Sequence, residues 1–214
     1  MELVNVNVFI DWDTARRIVR PNWVGQDNVD IRDRKTYVLN CFSQLQVKIG
    51  AAVQAAKLHA PARVSLTRVY HGWHKGRTPT DDRRAWDIAK SELAPYIIKG
   101  FSYLPDIKFG DEMICGGRRM PLLDTLRSRS DGVEQQKMVD TALVSDLLSF
   151  CRAESGSFKR GQPRRSMAIV IGNDDDLLPG SFVAEQWGLP VMVLRLNRDS
   201  ESKFVNTSGI VFPL

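Results

Sequence analysis

"MAIVIGNDDDLLPG" (167–180) joins an apolar run to three consecutive aspartates. A five-residue apolar run bounded by glycine fits a strand buried on both faces, as strands of a parallel sheet are. Carboxylates this close raise the cost of ionising one another unless a cation relieves them. In open parallel sheets, ligands bind beyond the carboxyl ends of the strands. The stretch therefore predicts an architecture and also the edge at which chemistry is to be sought.

A second strand of the same kind, "LVNVNVFI" (3–10), leads directly into Asp11. Residues 20–34 read as a loop. Val38, Phe42, Leu45, Ile49 and Val53 are spaced for a helix over 36–60, ended by Pro61. A strand follows over 62–73, then a short helix over 81–94 that stops at Pro95. Residues 134–154 have strong helical spacing, 155–166 form a basic loop, 180–188 a short helix closed by Gly188, and 190–196 a last strand. The segment 96–132 has Gly-Gly and Pro punctuation and no clean period beyond at least one strand. Strands alternating with helices predict an α/β protein, a three-layer α/β/α sandwich with a mainly parallel sheet. At 214 residues the expectation is one domain over 1–214.

Composition narrows the function classes. The chain is 43% hydrophobic and 26% charged, with a formal charge of +5, which alone does not separate nucleic-acid binders from other proteins. Cys41, Cys115 and Cys151 lie far apart without CxxC spacing, so neither a zinc ribbon nor a disulfide framework is expected. The opening "MELVNVNVFID" lacks a basic and then apolar leader pattern, and no run of about 18 apolar residues occurs. No membrane partner and a cytoplasmic location are expected.

Three segments carry carboxylates: Asp11 and Asp13; Asp140 and Asp146; Asp174, Asp175 and Asp176. Asp11 and Asp174 follow strands, so both are expected at one sheet edge. Asp140 opens a helix and faces that edge, although a first-turn aspartate also suits a helix dipole. Asp146 falls within the apolar stripe of Val139, Leu143, Leu147 and Phe150. There it needs either a structural partner or a role in the site, and the sequence leaves both open. Several carboxylates at one edge suit a hard divalent cation, Mg²⁺ or Mn²⁺, which takes oxygen ligands. Such ions hydrolyse phosphodiesters without a nucleophilic side chain.

At this point a resemblance enters. "VFIDWDTAR", "QKMVDTALVSDLL", "GNDDDLLP" and "WGLPVMVLRL" resemble, in order, the motifs of the NYN-domain branch of the PIN-like ribonucleases. The resemblance implies a PIN-like (NYN) fold and a metal-dependent endoribonuclease, with Asp11, Asp140, Asp174 and Asp176 as catalytic and metal-binding residues. Asp13 and Asp146 would stand in a second tier. Lys137 matches the family's lysine before the helix aspartate. Thr14 stands where that family has Asn, Met138 where it has Gly, and Asp175 in a serine slot. RNA is the implied partner. Its backbone would be held by Lys137, Arg118, Arg119, Lys159, Arg160, Arg164 and Arg165, with Trp73 stacking a base. A homo-oligomer is compatible with the chain, and 96–132 could supply its interface.

Two other readings remain. "FIDWDTAR" and the later "GNDDDLLPG" are similar to haloacid-dehalogenase-type phosphatases, in which Asp11 would be the nucleophile and Asp13 the acid/base. Alternatively the chain is a PIN-like module that binds RNA without cutting it.

Overall fold

The computed structural model describes residues 3–19, 29–115, 118–155, 165–196 and 209–214, with the side chains of 114, 115 and 155 left aside. The first element is strand β1 (Val4–Asp11), followed at once by the four-residue helix α1 (Trp12–Ala15). Helix α2 (Ile31–Ala55) leads to β2 (Ala62–Tyr70), the short pair β3 (His74–Lys75) and β4 (Thr78–Pro79), and helix α3 (Asp81–Ala89). Six short strands come next: β5 (Tyr96–Ile98), β6 (Phe101–Tyr103), β7 (Ile107–Phe109), β8 (Glu112–Cys115), β9 (Arg118–Pro121) and β10 (Leu126–Ser128). Strand β11 (Glu134–Gln136), helix α4 (Val139–Ser155), β12 (Ser166–Ile171), α5 (Leu178–Gln186), β13 (Val191–Arg195) and β14 (Val211–Pro213) complete the chain.

Among the described residues the main sheet has eight strands, ordered β14-β13-β12-β1-β2-β6-β5, with β7 also on β2. All its pairs are parallel except β5 with β6. The fold is thus mixed α/β, as the alternation of elements predicts. After β1 the chain builds outward through β2 on one side, then returns through α4 to place β12 on the other. The crevice between the carboxyl ends of β1 and β12 is the point where strand order reverses, the ligand-binding position of such sheets.

Alternation along the strands feeds two apolar clusters. Val4, Val6, Val8 and Ile10 of β1 pack with Met167, Ile169 and Ile171 of β12 and with Phe42, Leu45 and Ile49 of α2. Phe9, Ala168 and Val170 point into the other cluster with Leu143 and Leu147 of α4 and Ala184 of α5. Burial on both faces explains why "MAIVI" carries no polar residue.

Several boundaries differ from the expectation, each for a local reason. Helix α2 starts inside the expected loop because Asp30 caps it, accepting from the Arg32 amide at 3.1 Å. It ends before the expected 60 because Lys57 has φ +48°, outside helical space. Helix α4 starts at Val139 rather than 134: Met138 has φ +64°, and 134–136 pair antiparallel with β10 instead. The segment 96–132 resolves into β5 to β10 and their turns. Its strands are three or four residues long, too short to carry a visible period.

Candidate metal and phosphodiester site

Asp11 is the last residue of β1 and the N-cap of α1. Its carboxylate accepts from the Asp13 amide at 3.0 Å, the Thr14 amide at 3.2 Å and the Thr14 hydroxyl at 2.6 Å. Burial pushes this carboxyl above its ordinary value, and the Thr14 hydrogen bond works against that rise. Thr14, itself buried, also accepts from the Asn173 amide at 3.1 Å through the same hydroxyl. One side chain therefore joins the end of β1 to the acidic turn after β12. Thr14 thus ties Asp11 to the turn.

The turn is held from several directions. Gly172 donates to the Leu194 carbonyl at 3.2 Å, and the Asn173 side chain accepts from the Leu196 amide at 3.0 Å. A Cβ on Gly172 would stand 2.3 Å from Leu177 Cδ1 and 3.6 Å from the Asp11 Cβ. Leu177 is fully buried, so a side chain at 172 would displace it from the core, whereas the spacing to β1 is ordinary van der Waals contact. Asp174 then caps a single 3₁₀ turn, accepting from the Asp176 amide at 2.9 Å. The middle aspartate points away from its neighbours. Asp175 pairs with Arg195 at 2.7 Å, an arginine only 4% exposed at the end of β13.

Asp140 arrives from a third element, the first turn of α4. Its carboxyl is pushed up to about 6, first by burial and then by the charges of Asp11, Asp174 and Asp176. Asp11, Asp174 and Asp176 thus all act on Asp140. Asp11, Asp140 and Asp174 line a cleft of about 1780 Å³, while Asp176 is exposed beside it and outside its lining. No three His, Cys, Asp or Glu side chains among the described residues are drawn together as a ready metal-ligand group. The donor set is nevertheless all oxygen, and its unrelieved repulsion is the condition that a divalent cation removes.

Met138, directly before α4, lines the cleft in the left-handed region that favours glycine. Met138→Gly is expected to raise stability by about 0.5–1 kcal/mol, once glycine's greater unfolded freedom is set against the relieved strain. Chemical denaturation with an unchanged m-value checks this.

Other expected residues lie elsewhere. Asp146 takes the structural of its two open roles: its carboxylate is occupied by Arg68 and by the Tyr70 hydroxyl at 2.7 Å, outside the cleft lining. Asp13 is likewise engaged, by Arg16 and by the Gln136 amide, although it lines the cleft. Trp73 corrects the stacking expectation. It is fully buried, and its indole N–H donates to the Val69 carbonyl at 3.1 Å, so no ring face is open to a base. Arg118 and Arg119 are exposed on the β8–β9 hairpin, away from the cleft lining, with Arg119 3.6 Å from Glu112. Lys137 is half-buried and also outside that lining. Lys159, Arg160 and Arg164 lie outside the described residues. Arg165 stands just before β12, at the sheet edge opposite the carboxylates, because a connection from the end of α4 must enter β12 there.

The cations that do line the cleft are Arg16, Arg17, Arg34, Lys75, Arg84 and Arg195. Around Asp82 a network forms that sequence reasoning missed, with Arg34 at 2.9 Å, His71 at 3.1 Å and Arg16 at 3.3 Å. Burial alone would push Asp82 upward. The His71 hydrogen bond and the charges of Arg16 and Arg34 outweigh it and hold the carboxyl well below its ordinary range. Arg195 had a sequence signal, a lone charge closing an apolar strand. Asp82 and Gln136 had none. No family model, curated protein or solved structure matches the chain significantly.

Proposed function

We propose that this chain is a metal-dependent endoribonuclease with the three-layer α/β/α architecture of the PIN-like NYN domains. One observation carries the reading: Asp11, Asp140 and Asp174 reach the switch-point crevice from three separate elements, where burial and then the charges of Asp11, Asp174 and Asp176 push the Asp140 carboxyl up to about 6. Asp11, Asp140 and Asp174, with Asp176 beside them, would hold Mg²⁺ or Mn²⁺. Such an ion supplies a water acidic enough to attack at neutral pH and positive charge for the phosphate oxygens. The chain's own residues orient that site. Thr14 fixes the Asp11 carboxylate and the turn opposite it. Arg195 neutralises Asp175 in the cleft lining, and Asp174 and Asp176 are exposed. Arg17 and Lys75 line the cleft where a phosphate backbone would run.

The volume favours a polymer, since about 1780 Å³ exceeds the roughly 300–1,000 Å³ of ordinary small-molecule pockets. Purified protein with Mn²⁺ is expected to cut RNA, EDTA to stop it, and Asp174→Asn to abolish cleavage while RNA binding persists. Hydrolysis of p-nitrophenyl phosphate that depends on Asp11, with RNA left intact, would establish the phosphatase instead. RNA retention without either reaction, unchanged in Asp174→Asn, would establish a binding module.

A further inference from the structure

The cleft has a wall that the nuclease reading does not use. Leu126, Ser128, Gly132, Glu134, Gln135 and Gln136 of the β10–β11 hairpin all line it. This hairpin is a separate two-stranded sheet, so no ladder to the main sheet fixes its distance from the carboxylates. Its root is held by backbone, the Asp124 amide donating to the Gly76 carbonyl at 2.8 Å, and its far end runs into α4; side chains fix the rest. The Lys75–Glu134 pair, at 3.1 Å, is about half exposed at both ends and contributes little. Thr125 accepts from the His74 amide at 3.1 Å, anchoring the root of the hairpin. Gly72 lets the wall approach: a Cβ there would lie 3.0 Å from Leu126 Cβ and 3.4 Å from Gln136 Cγ.

The contact nearest the reacting edge is Gln136. Its amide nitrogen reaches Asp13 Oδ2 and lies 2.9 Å from His71 Nδ1. A carboxylate only accepts, so the NH₂ end of the amide must face Asp13. His71 Nδ1 can take the second N–H because its other nitrogen, 3.1 Å from Asp82, donates to that carboxylate. A single proton arrangement satisfies Asp82, His71, Gln136 and Asp13 together. His71 is only 6% exposed, so this floor is rigidly placed beside Asp11.

We propose that Gln136 is a positioning residue that locks the β10–β11 hairpin to Asp13 and His71, and that the wall so fixed sets how a nucleic-acid strand lies beside Asp11. The substrate half of this inference rests on the nuclease reading; the latch does not.

Gln136→Leu keeps similar bulk and removes both N–H donors. Amide hydrogen exchange over 126–136 is expected to quicken at least about tenfold, with β1 and β12 unchanged. For an oligoribonucleotide, KM is expected to rise about tenfold with kcat within about threefold. A melting curve in parallel confirms that the variant is folded. Unchanged hairpin exchange overturns the latch. Quickened exchange with unchanged KM overturns the role in substrate placement. Should RNA not be cut by the parent protein, the nuclease reading and the substrate placement fail together, and the exchange data alone decide the latch.

Discussion

Asp140→Asn is expected to melt at a higher temperature than the parent in the absence of divalent cations, while losing RNA cleavage by more than about a hundredfold. The two effects share one cause. In the folded chain the Asp140 carboxyl is pushed up to about 6 from 3.8 by burial and by Asp11, Asp174 and Asp176. A folded-state value above the unfolded one means that the native protein binds this proton more tightly. The stabilisation is therefore complete below about pH 4 and is lost as pH rises through about 6. Near neutral pH the parent holds an ionised carboxylate in a place that disfavours it. About two units of displacement correspond to roughly 3 kcal/mol. Because Asp140 is only half-buried, screening by solvent reduces this to about 1–2 kcal/mol. Asparagine removes that penalty, so the gain should be present near neutral pH and vanish near pH 4. Added Mn²⁺ should reverse the order of stability, because the parent gains binding energy that the variant cannot. If Asp140 is a direct ligand, as proposed, the loss of cleavage should exceed the ten- to hundredfold typical of outer-shell partners. Calorimetry at two pH values, with and without Mn²⁺, reads all of this. A variant no more stable than the parent near neutral pH would mean that the carboxylates are not in unrelieved repulsion.

What the sequence made legible follows from the length scale of each signal. "VFID" and "MAIVIGNDDD" were readable because strand, turn and charge lie within ten residues, and a parallel sheet obliges both strand ends to share an edge. Asp140 was readable because a helix that feeds such a strand must begin at that edge. Arg165 could have been set apart by the same rule, since it enters β12 at the opposite edge. Trp73 and Gln136 depend on contacts between segments dozens of residues apart, Trp73 among the rings of the core and Gln136 across the cleft. No local pattern encodes those contacts. Met138 lies between these cases. The resemblance implies a glycine there, but only the φ of +64° shows why a helix over 134–154 had to break at that point.

Asp146→Ala is expected to lower stability by about 2–3 kcal/mol and to leave cation binding within about twofold of the parent. Its carboxylate is the acceptor for both Arg68 and the Tyr70 hydroxyl, and Tyr70 is fully buried at the end of β2. Truncation leaves a buried phenol and a partly buried guanidinium without their acceptor, and hydrogen bonds to charged groups contribute roughly 1.5–3 kcal/mol. The hydroxyl cannot swing to water. A Cβ at Gly110 would lie 2.0 Å from Tyr70 Cδ1, so the ring is pressed flat against that backbone and held in place. For a chain of this size the loss corresponds to about 4–12 °C in melting temperature. Tyr70→Phe separates the contributions, because it removes one donor and leaves the Arg68–Asp146 pair intact. It should cost about 1.5 kcal/mol, the low end for a hydrogen bond to a charged group. The pairing also explains why an aspartate survives within the apolar stripe of α4. It fastens that helix to β2 across β1, and so holds the first turn, with Asp140, over the crevice. If Asp146→Ala instead left the melting temperature unmoved while cation affinity collapsed, Asp146 would belong among the ligands and its contact with Arg68 would be incidental.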